Sequence, residues 1–150
     1  MTDLRELYQE VILDHSKKPR NYHRLEAANH EAEGYNPLCG DHIKVYLLVR
    51  DGVVEDVAFE GAGCAICTAS ASMMTQQIKG RSAEEVEWLF RNFHALVTEE
   101  ETLGTSREDL GKLEVFAGVR DYPVRVKCAT LPWHTLHAAL DNAGEPVTTE

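Results

Sequence analysis

The chain has 150 residues, 43% of them hydrophobic, which is enough for one domain with a core and excludes a disordered chain. Its 15 basic and 25 acidic residues give a formal net charge of −10, so a phosphate backbone would be repelled and nucleic acid is not an expected partner. No apolar run approaches the roughly 20 residues that span a bilayer and no apolar leader opens the chain, so we expect no membrane association and a cytoplasmic location, where cysteines are more often ligands or reactive thiols than disulfides.

The first predicted element is an amphipathic helix over residues 3 to about 15. Its apolar residues recur at helical spacing, and Pro19 lies beyond its end. The segment 14–22 then concentrates several cations in an acidic protein, and it is either a solvated loop or a surface that docks a partner. Residues 23–35 are polar and are predicted to be irregular.

The clearest pattern in the chain is a β-hairpin over residues 41–60. Hydrophobic and polar residues alternate from Asp41 to Arg50, Asp51-Gly52 is typical of a two-residue hairpin turn, and Val53 to Glu60 form the return strand. Antiparallel pairing puts the start of one strand beside the end of the other. The hairpin alone is therefore expected to bring Cys39, Asp41 and Cys64 close together.

Three helical segments are predicted after the hairpin. The first runs from Cys64 or Ala65 to Lys79, and the second follows a capping box that begins at Ser82. The third follows Cys128 and runs to about residue 142, with Thr130 as its candidate cap and Pro132 in its first turn. Tyr122-Pro123 is predicted to be extended. The fold class is thus α+β, a small antiparallel sheet packed against several helices in a single domain over 1–150, with an insertion at about 95–112 and a loose tail at about 143–150.

Three segments carry the candidate chemistry: 36–41, 61–64 and 126–128. Together they supply three cysteines and one aspartate, which make a complete tetrahedral ligand set for one soft or borderline metal: Cys39, Asp41, Cys64 and Cys128. Cys64 and Cys128 are both predicted at helix N-termini, where the partial positive charge favours the thiolate.

Plainer interpretations of these residues stay open at this point. The cysteines could be small buried hydrophobic residues beside a turn aspartate, or ligands of a purely structural zinc ion. Cys64 and Cys67 also form a CxxC pair at a helix start, but no βαβ unit surrounds it, so Cys67 is expected to be a buried helix residue. The seven histidines are expected on the surface or in the core rather than at a metal.

The same motifs resemble a known family. Asn36-Pro37-Leu38-Cys39-Gly40-Asp41, Gly61-Ala62-Gly63-Cys64 and Lys127-Cys128 are similar to the U-type iron–sulfur cluster assembly proteins, the family of IscU, SufU and the N-terminal domain of NifU, over residues 3 to about 142. The IscU branch has a histidine where this chain has Lys127, and the insertion matches the SufU branch. Cys67 departs from the serine usual in that branch.

The resemblance implies a zinc-dependent acceptor and carrier of persulfide sulfur. Its partners would be a PLP-dependent cysteine desulfurase of the SufS or IscS type and the downstream assembly machinery, and as an enzyme it would be at most a zinc-dependent sulfurtransferase. The alternative is a scaffold that assembles a transient [2Fe–2S] cluster, or holds iron, on Cys39, Cys64 and Cys128. A third reading is an inert zinc module that only binds partners.

A sulfur-transfer hypothesis follows for the four ligands. Asp41 is the hard and readily displaced ligand in an otherwise soft site. Cys39 lies on a loop flanked by glycine and proline, so its thiolate is the expected acceptor and would attack the terminal sulfur of the donor persulfide. Cys128 is the alternative acceptor.

Overall fold

The structure, a computed structural model, describes residues 4–98, 113, 115, 116, 119, 122–141 and 147–148, and of residues 4–8 and 147–148 only the backbone. The elements in these ranges, in chain order, are α1 (Leu4–Lys17), β1 (His30–Asn36), β2 (Asp41–Arg50), β3 (Val53–Ala62), α2 (Ala65–Ile78), α3 (Ala83–Thr98), α4 (Pro123–Asp141) and β4 (Val147–Thr148). The expected α+β class is confirmed, since helices pack against one small sheet.

The sheet has the strand order β3-β2-β1-β4. The predicted hairpin is confirmed: β2 and β3 pair antiparallel across Asp51 and Gly52, whose positive φ angles of 52° and 75° are those of a tight hairpin turn. β1 pairs antiparallel with β2 on its other side, and Asn36 lies opposite Asp41 in that register. The same register places Ala62, at the end of β3, opposite His42.

The strand β1 corrects the prediction that residues 23–35 are irregular. Residues 30–36 pair along their whole length with β2. The two buried positions of this strand are Gly34 and Asn36, while its neighbours Glu31 and Glu33 are acidic. Without apolar residues at the buried positions, the period-two alternation that marks a strand is absent from the sequence.

The end of the chain also differs from the prediction. The tail expected to be loose at about 143–150 contains β4, which pairs parallel with Gly34 and Tyr35 of β1. An edge strand offers unpaired backbone groups to such a segment. The insertion predicted at about 95–112 begins inside α3, which continues to Thr98; the remainder of that insertion, 99–112, lies outside the described residues.

The helix α4 lies on β1 and β2 and carries the largest core side chain. Trp133 stacks on Phe93 of α3 with ring centroids 4.8 Å apart, and Phe93 meets Phe116 edge to face. The helix approaches β1 closely at Gly34, where an added side-chain carbon would overlap Thr135 Oγ1. A residue larger than glycine at position 34 would therefore push α4 away from the sheet.

Two helix starts were predicted correctly. Cys64 is the N-cap of α2, with an extended backbone and a sulfur that accepts a hydrogen bond from the Cys67 amide. Ser82 and Glu85 form the predicted capping box of α3, in which each side chain accepts from the other residue's backbone amide.

The start of α4 was predicted wrongly. The helix begins at Pro123 rather than just after Cys128, because a proline suits the first helical position, where its missing N–H is not needed. Pro132 therefore lies in the interior of the helix and not in its first turn. Since Pro132 has no N–H, the carbonyl of Cys128 has no partner in the i to i−4 ladder. No helix in the described part of the chain is both long enough and apolar enough to cross a bilayer.

Candidate metal centre

Four local structures deliver the four predicted ligands to one end of the sheet. Cys39 lies in the turn between β1 and β2, and Asp41 is the first residue of β2. Cys64 is the N-cap of α2, and Cys128 lies in the second turn of α4. The ligand atoms of Cys39, Asp41 and Cys128 all lie within 4.8 Å of one another, and this group includes none of the described histidines.

The contacts among the sulfurs are direct. Cys128 Sγ lies 3.2 Å from Cys39 Sγ. The Cys64 sulfur lies near enough to Cys128 for the two thiols to shift each other's pKa, but it does not belong to the group of three. Cys64 is instead held by the Cys67 amide, 3.5 Å from its sulfur. The expected convergence of the three segments is thus found, with Cys64 at its margin.

Asp41 is buried, with 2% of its surface exposed, and its two oxygens have separate partners. Oδ1 accepts a hydrogen bond of 2.8 Å from the backbone amide of Cys64, and Oδ2 accepts one of 3.4 Å from Asn36 Nδ2. Gly63 leaves room for this carboxylate, because an added Cβ would lie 2.7 Å from Asp41 Oδ1. These contacts fix the position of the carboxylate between β1 and the start of α2.

The thiols differ in their acidity. The hydrogen bond from the Cys128 thiol lowers the pKa of Cys64 to about 7, and the Cys67 amide at the start of α2 acts in the same direction. The hydrogen bonds of Cys128, first to Cys64, together with its burial raise the pKa of Cys128 above its ordinary value. The prediction that a helix N-terminus acidifies both thiols therefore holds for Cys64 and is wrong for Cys128, which lies inside α4.

Cys67 is separated from this chemistry by burial. Only 3% of its surface is exposed, and burial raises the pKa of its thiol. It lies in the first turn of α2, one turn behind Cys64, and it is not part of the group of potential ligands. The prediction of a buried helix residue is confirmed.

A cavity of about 700 Å³ adjoins Cys39, Cys64 and Cys128. Among the described residues, its wall combines Cys39, Cys64 and Cys128 with mostly apolar side chains, Gln9 and one cation, Arg125. Exposed apolar side chains lie around it: Leu13 of α1 is 48% exposed, and Tyr122 and Val124 at the start of α4 are each 53% exposed. Cys39 and Cys64, which are partly exposed, are therefore accessible from the cavity, whereas Cys128 is buried.

The donor set fits zinc. Zinc–sulfur bonds of about 2.3 Å in a tetrahedral site place neighbouring sulfurs roughly 3.8 Å apart. The atoms of Cys39, Asp41 and Cys128 are close enough for such a site, and Cys64 adjoins them as a fourth donor. Thiolates favour soft or borderline ions over calcium or magnesium.

Two residues of the site were missed by the sequence analysis. Asn36 is fully buried between Asp41 and Cys128, and Gly63 provides the space that Asp41 occupies. Both stand inside the quoted motifs, but the sequence alone gave neither of them a role. The strand register shows the place of Asn36 directly opposite the aspartate, but that strand has no signal in the sequence.

Comparison with known proteins identifies the family. The family described as "NifU-like N terminal domain" matches residues 7–140. The chain therefore belongs to the NifU-like N-terminal domain family.

Individual relatives cover most of the chain. It is 42% identical over 130 residues to the "Zinc-dependent sulfurtransferase SufU" of Bacillus subtilis, which covers 87% of this chain and 86% of that protein. It is 39% identical over 140 residues to the "Iron-sulfur cluster assembly scaffold protein IscU" of Streptococcus pyogenes, covering 93% and 86%. Among solved structures, a putative SufU scaffold protein from Fervidobacterium islandicum is 38% identical with a TM-score of 0.83, covering 90% of this chain and 97% of that one.

A substitution at Gly63 tests how the site holds its carboxylate. In Gly63→Ala the added Cβ would meet Asp41 Oδ1 at 2.7 Å, so the carboxylate must move away from the sulfurs. We expect the affinity for Zn²⁺, measured by competition with a chromophoric chelator, to fall by about 10–100-fold. Gly80→Ala is the control: its φ of 85° strains an alanine, but a Cβ there meets nothing within 4 Å, so stability should fall while zinc affinity stays unchanged. Equal zinc affinity in Gly63→Ala and the natural protein would contradict this description of the site.

Proposed function

We propose that this chain is a zinc-dependent acceptor and carrier of persulfide sulfur in iron–sulfur cluster assembly, and that Cys39 is the acceptor. The observation that carries the proposal is the position of Cys39. It is partly exposed on the turn after β1, faces the cavity, and lies 3.2 Å from the buried Cys128. An acceptor must be reachable by a donor and still belong to the site that holds it.

The proposed ligands are Cys39, Asp41, Cys64 and Cys128. Cys64 would join the other three by turning its sulfur away from the Cys67 amide that it now accepts from. When bound, Zn²⁺ would stabilise the thiolate form of the cysteines without adding redox chemistry of its own. Asp41 would provide the one hard ligand, and it is held by two hydrogen bonds.

Sulfur uptake on Cys39 is a displacement at sulfur. The Cys39 thiolate attacks the terminal sulfur of a persulfide on the donor, and a new S–S bond forms on Cys39. The S–S bond of the donor breaks, and the donor cysteine leaves as a thiolate. Cys128, with 2% of its surface exposed, is the alternative acceptor but is far less accessible to a donor.

A scaffold role is the second candidate function, because relatives named scaffold proteins are as similar to this chain as the sulfurtransferase. The IscU of Thermotoga maritima is 40% identical over 144 residues. Cys39, Cys64 and Cys128 would then hold a transient [2Fe–2S] cluster as cargo. The carrier is preferred because Lys127 stands where the IscU branch has a histidine.

Metal analysis of the purified protein separates the two functions. A carrier should be colourless and contain about one zinc per chain, because a site of this kind binds one ion with four protein ligands. Removing that zinc should also lower the midpoint of thermal unfolding, since an ion that binds only the folded chain stabilises it. A brown protein that contains iron and inorganic sulfide would favour the scaffold and contradict the carrier.

The acceptor itself is tested by replacing single cysteines. In Cys39→Ser the hydroxyl is too weak a nucleophile, so labelled sulfur from a cysteine desulfurase should no longer appear on the chain, as measured by mass spectrometry after alkylation. Cys67→Ser is the matched control and should take up sulfur normally, because Cys67 lies buried behind the site. Labelled sulfur found on the Cys39→Ser variant would show that Cys39 is not the acceptor and would make Cys128 the acceptor to test next.

The proposed donor is a PLP-dependent cysteine desulfurase in the cytoplasm, where the four cysteines, all unpaired, would stay reduced. Its persulfide must be brought into the cavity to reach Cys39. The exposed apolar side chains of Leu13, Tyr122 and Val124 lie at the cavity and offer an apolar rim to the segment that carries the persulfide. Arg125, stacked on Tyr122 with its guanidinium carbon 4.7 Å from the ring centre, gives this rim a positive charge within an acidic protein.

A charge placed on the rim tests the docking surface. Val124→Glu puts a carboxylate on an exposed apolar position, so the concentration of this chain that half-activates a cysteine desulfurase should rise by roughly fivefold to tenfold. Gln76→Glu adds the same charge at an exposed position of α2 away from the cavity and should leave the half-activating concentration unchanged. Equal effects of the two variants would mean that only net charge matters and that the rim is not the docking surface.

A further inference from the structure

Asn36 connects two of the proposed ligands and has no established role. It ends β1, has none of its surface exposed, and lies opposite Asp41 in the strand register. Its Nδ2 lies 3.4 Å from Asp41 Oδ2 and 3.5 Å from Cys128 Sγ. One amide group therefore spans a carboxylate on β2 and a thiol on α4.

Chemistry fixes the orientation of this amide. A carboxylate oxygen only accepts hydrogen bonds when ionised, and a cysteine sulfur accepts them as well, so the NH₂ group must face both. Rotating the amide by half a turn would set Oδ1 against the carboxylate. In the observed orientation Asn36 Oδ1 is buried and has no hydrogen-bond partner among the described residues. An unpaired buried acceptor is unfavourable, so this amide is not explained by stability alone.

The two cysteines that could accept sulfur differ in how they are held. Cys128 is 2% exposed, accepts from Asn36, and sits on a helix packed against the sheet. Cys39 is partly exposed, and its backbone amide donates to the carbonyl of Asn36 in the turn, 3.2 Å away. Asn36 thus binds one cysteine through its side chain and shapes the turn of the other through its backbone.

We propose that Asn36 is a positioning residue that determines which cysteine accepts sulfur. Its amide keeps the Cys128 sulfur turned inward beside Asp41 and occupies one of its lone pairs, which leaves Cys39 as the sulfur that meets the donor. The inference rests on the proposed function. Loss of this hydrogen bond frees Cys128 to compete with Cys39 for the incoming sulfur.

The test compares two buried asparagines. Asn36→Leu keeps the number and branching of the side-chain heavy atoms and removes the donor. Asn92→Leu is the matched control, because Asn92 is equally buried, donates one hydrogen bond of 2.8 Å to the carbonyl of Trp88, also has an unpaired Oδ1, and lies on α3. Each protein is loaded with labelled sulfur by a cysteine desulfurase and alkylated. The ratio of persulfide on Cys128 to persulfide on Cys39 is then read by peptide mass spectrometry, with and without Zn²⁺.

The expected ratio is low in the natural protein and in Asn92→Leu, and higher by about tenfold or more in Asn36→Leu. The change should be present both with and without zinc, because the hydrogen bond from Asn36 to Cys128 is made by the chain alone. An unchanged ratio in folded Asn36→Leu overturns the proposal, as does a change confined to the zinc-loaded protein. If Asn36→Leu does not fold, Asn36→Ser is used, since its short hydroxyl cannot reach both partners.

Failure of this inference is distinguishable from failure of the proposed function. A natural protein that takes up no sulfur on any cysteine contradicts the carrier function itself. A natural protein that takes up sulfur on Cys39, together with an Asn36→Leu variant that distributes sulfur in the same way, retains the function and removes only the role of Asn36.

Discussion

The site depends above all on the register of the antiparallel sheet. Asn36 lies opposite Asp41, and His42 lies opposite Ala62, so the turn that carries Cys39 stands beside the chain that enters α2. Side chains alternate between the two faces of a strand, and a slip of one residue would turn Asp41 away from the sulfurs. The Asp51-Gly52 turn and the buried apolar face of β2 fix that register, and with it the distance from Asp41 to the Cys64 amide.

A second constraint, the close packing of α4 on β1, positions Cys128. Cys128 is carried by α4, and α4 can lie on β1 only because Gly34 has no side chain at the point of closest approach to Thr135. The site is therefore assembled from elements that are distant in sequence, and its formation requires the packed core. Metal binding at this site would therefore depend on folding of the whole domain.

The site is asymmetric between its two sides. Asn36, Asp41 and Cys128 are buried against the sheet and hydrogen bonded to one another, whereas Cys39 and Cys64 face a cavity with an apolar rim. Hydrogen bonds and burial raise the pKa of Cys128, whereas the hydrogen bond from Cys128 lowers the pKa of Cys64 to about 7. Buried groups on one side and an accessible thiol on the other would suit the proposed carrier, which must hold sulfur and also release it.

Patterns that depend on local chemistry were predictable from the sequence. The hairpin follows from alternation and its turn, and the starts of α2 and α3 follow from their capping residues. The strand β1 was not predictable, because its buried positions are Gly34 and Asn36, which carry no apolar signal. The start of α4 was missed because Pro123 favours both an extended residue before it and a helix after it, and only packing of the helix on the sheet decides between them. Of the four predicted ligands, Cys39, Asp41 and Cys128 lie within 4.8 Å of one another, with Cys64 at their margin. The contact of Asn36 with Cys128 joins positions 92 residues apart and has no sequence signature.

The central claim is that Cys39, Asp41, Cys64 and Cys128 bind one ion. X-ray absorption at the zinc edge of the zinc-loaded protein measures that shell directly. Three sulfurs at about 2.3 Å and one oxygen at about 2.0–2.2 Å are the result that the account predicts. A shell with only two sulfurs, or one that contains a histidine nitrogen, would contradict it, because Cys64 or another of the four residues would then not be a ligand.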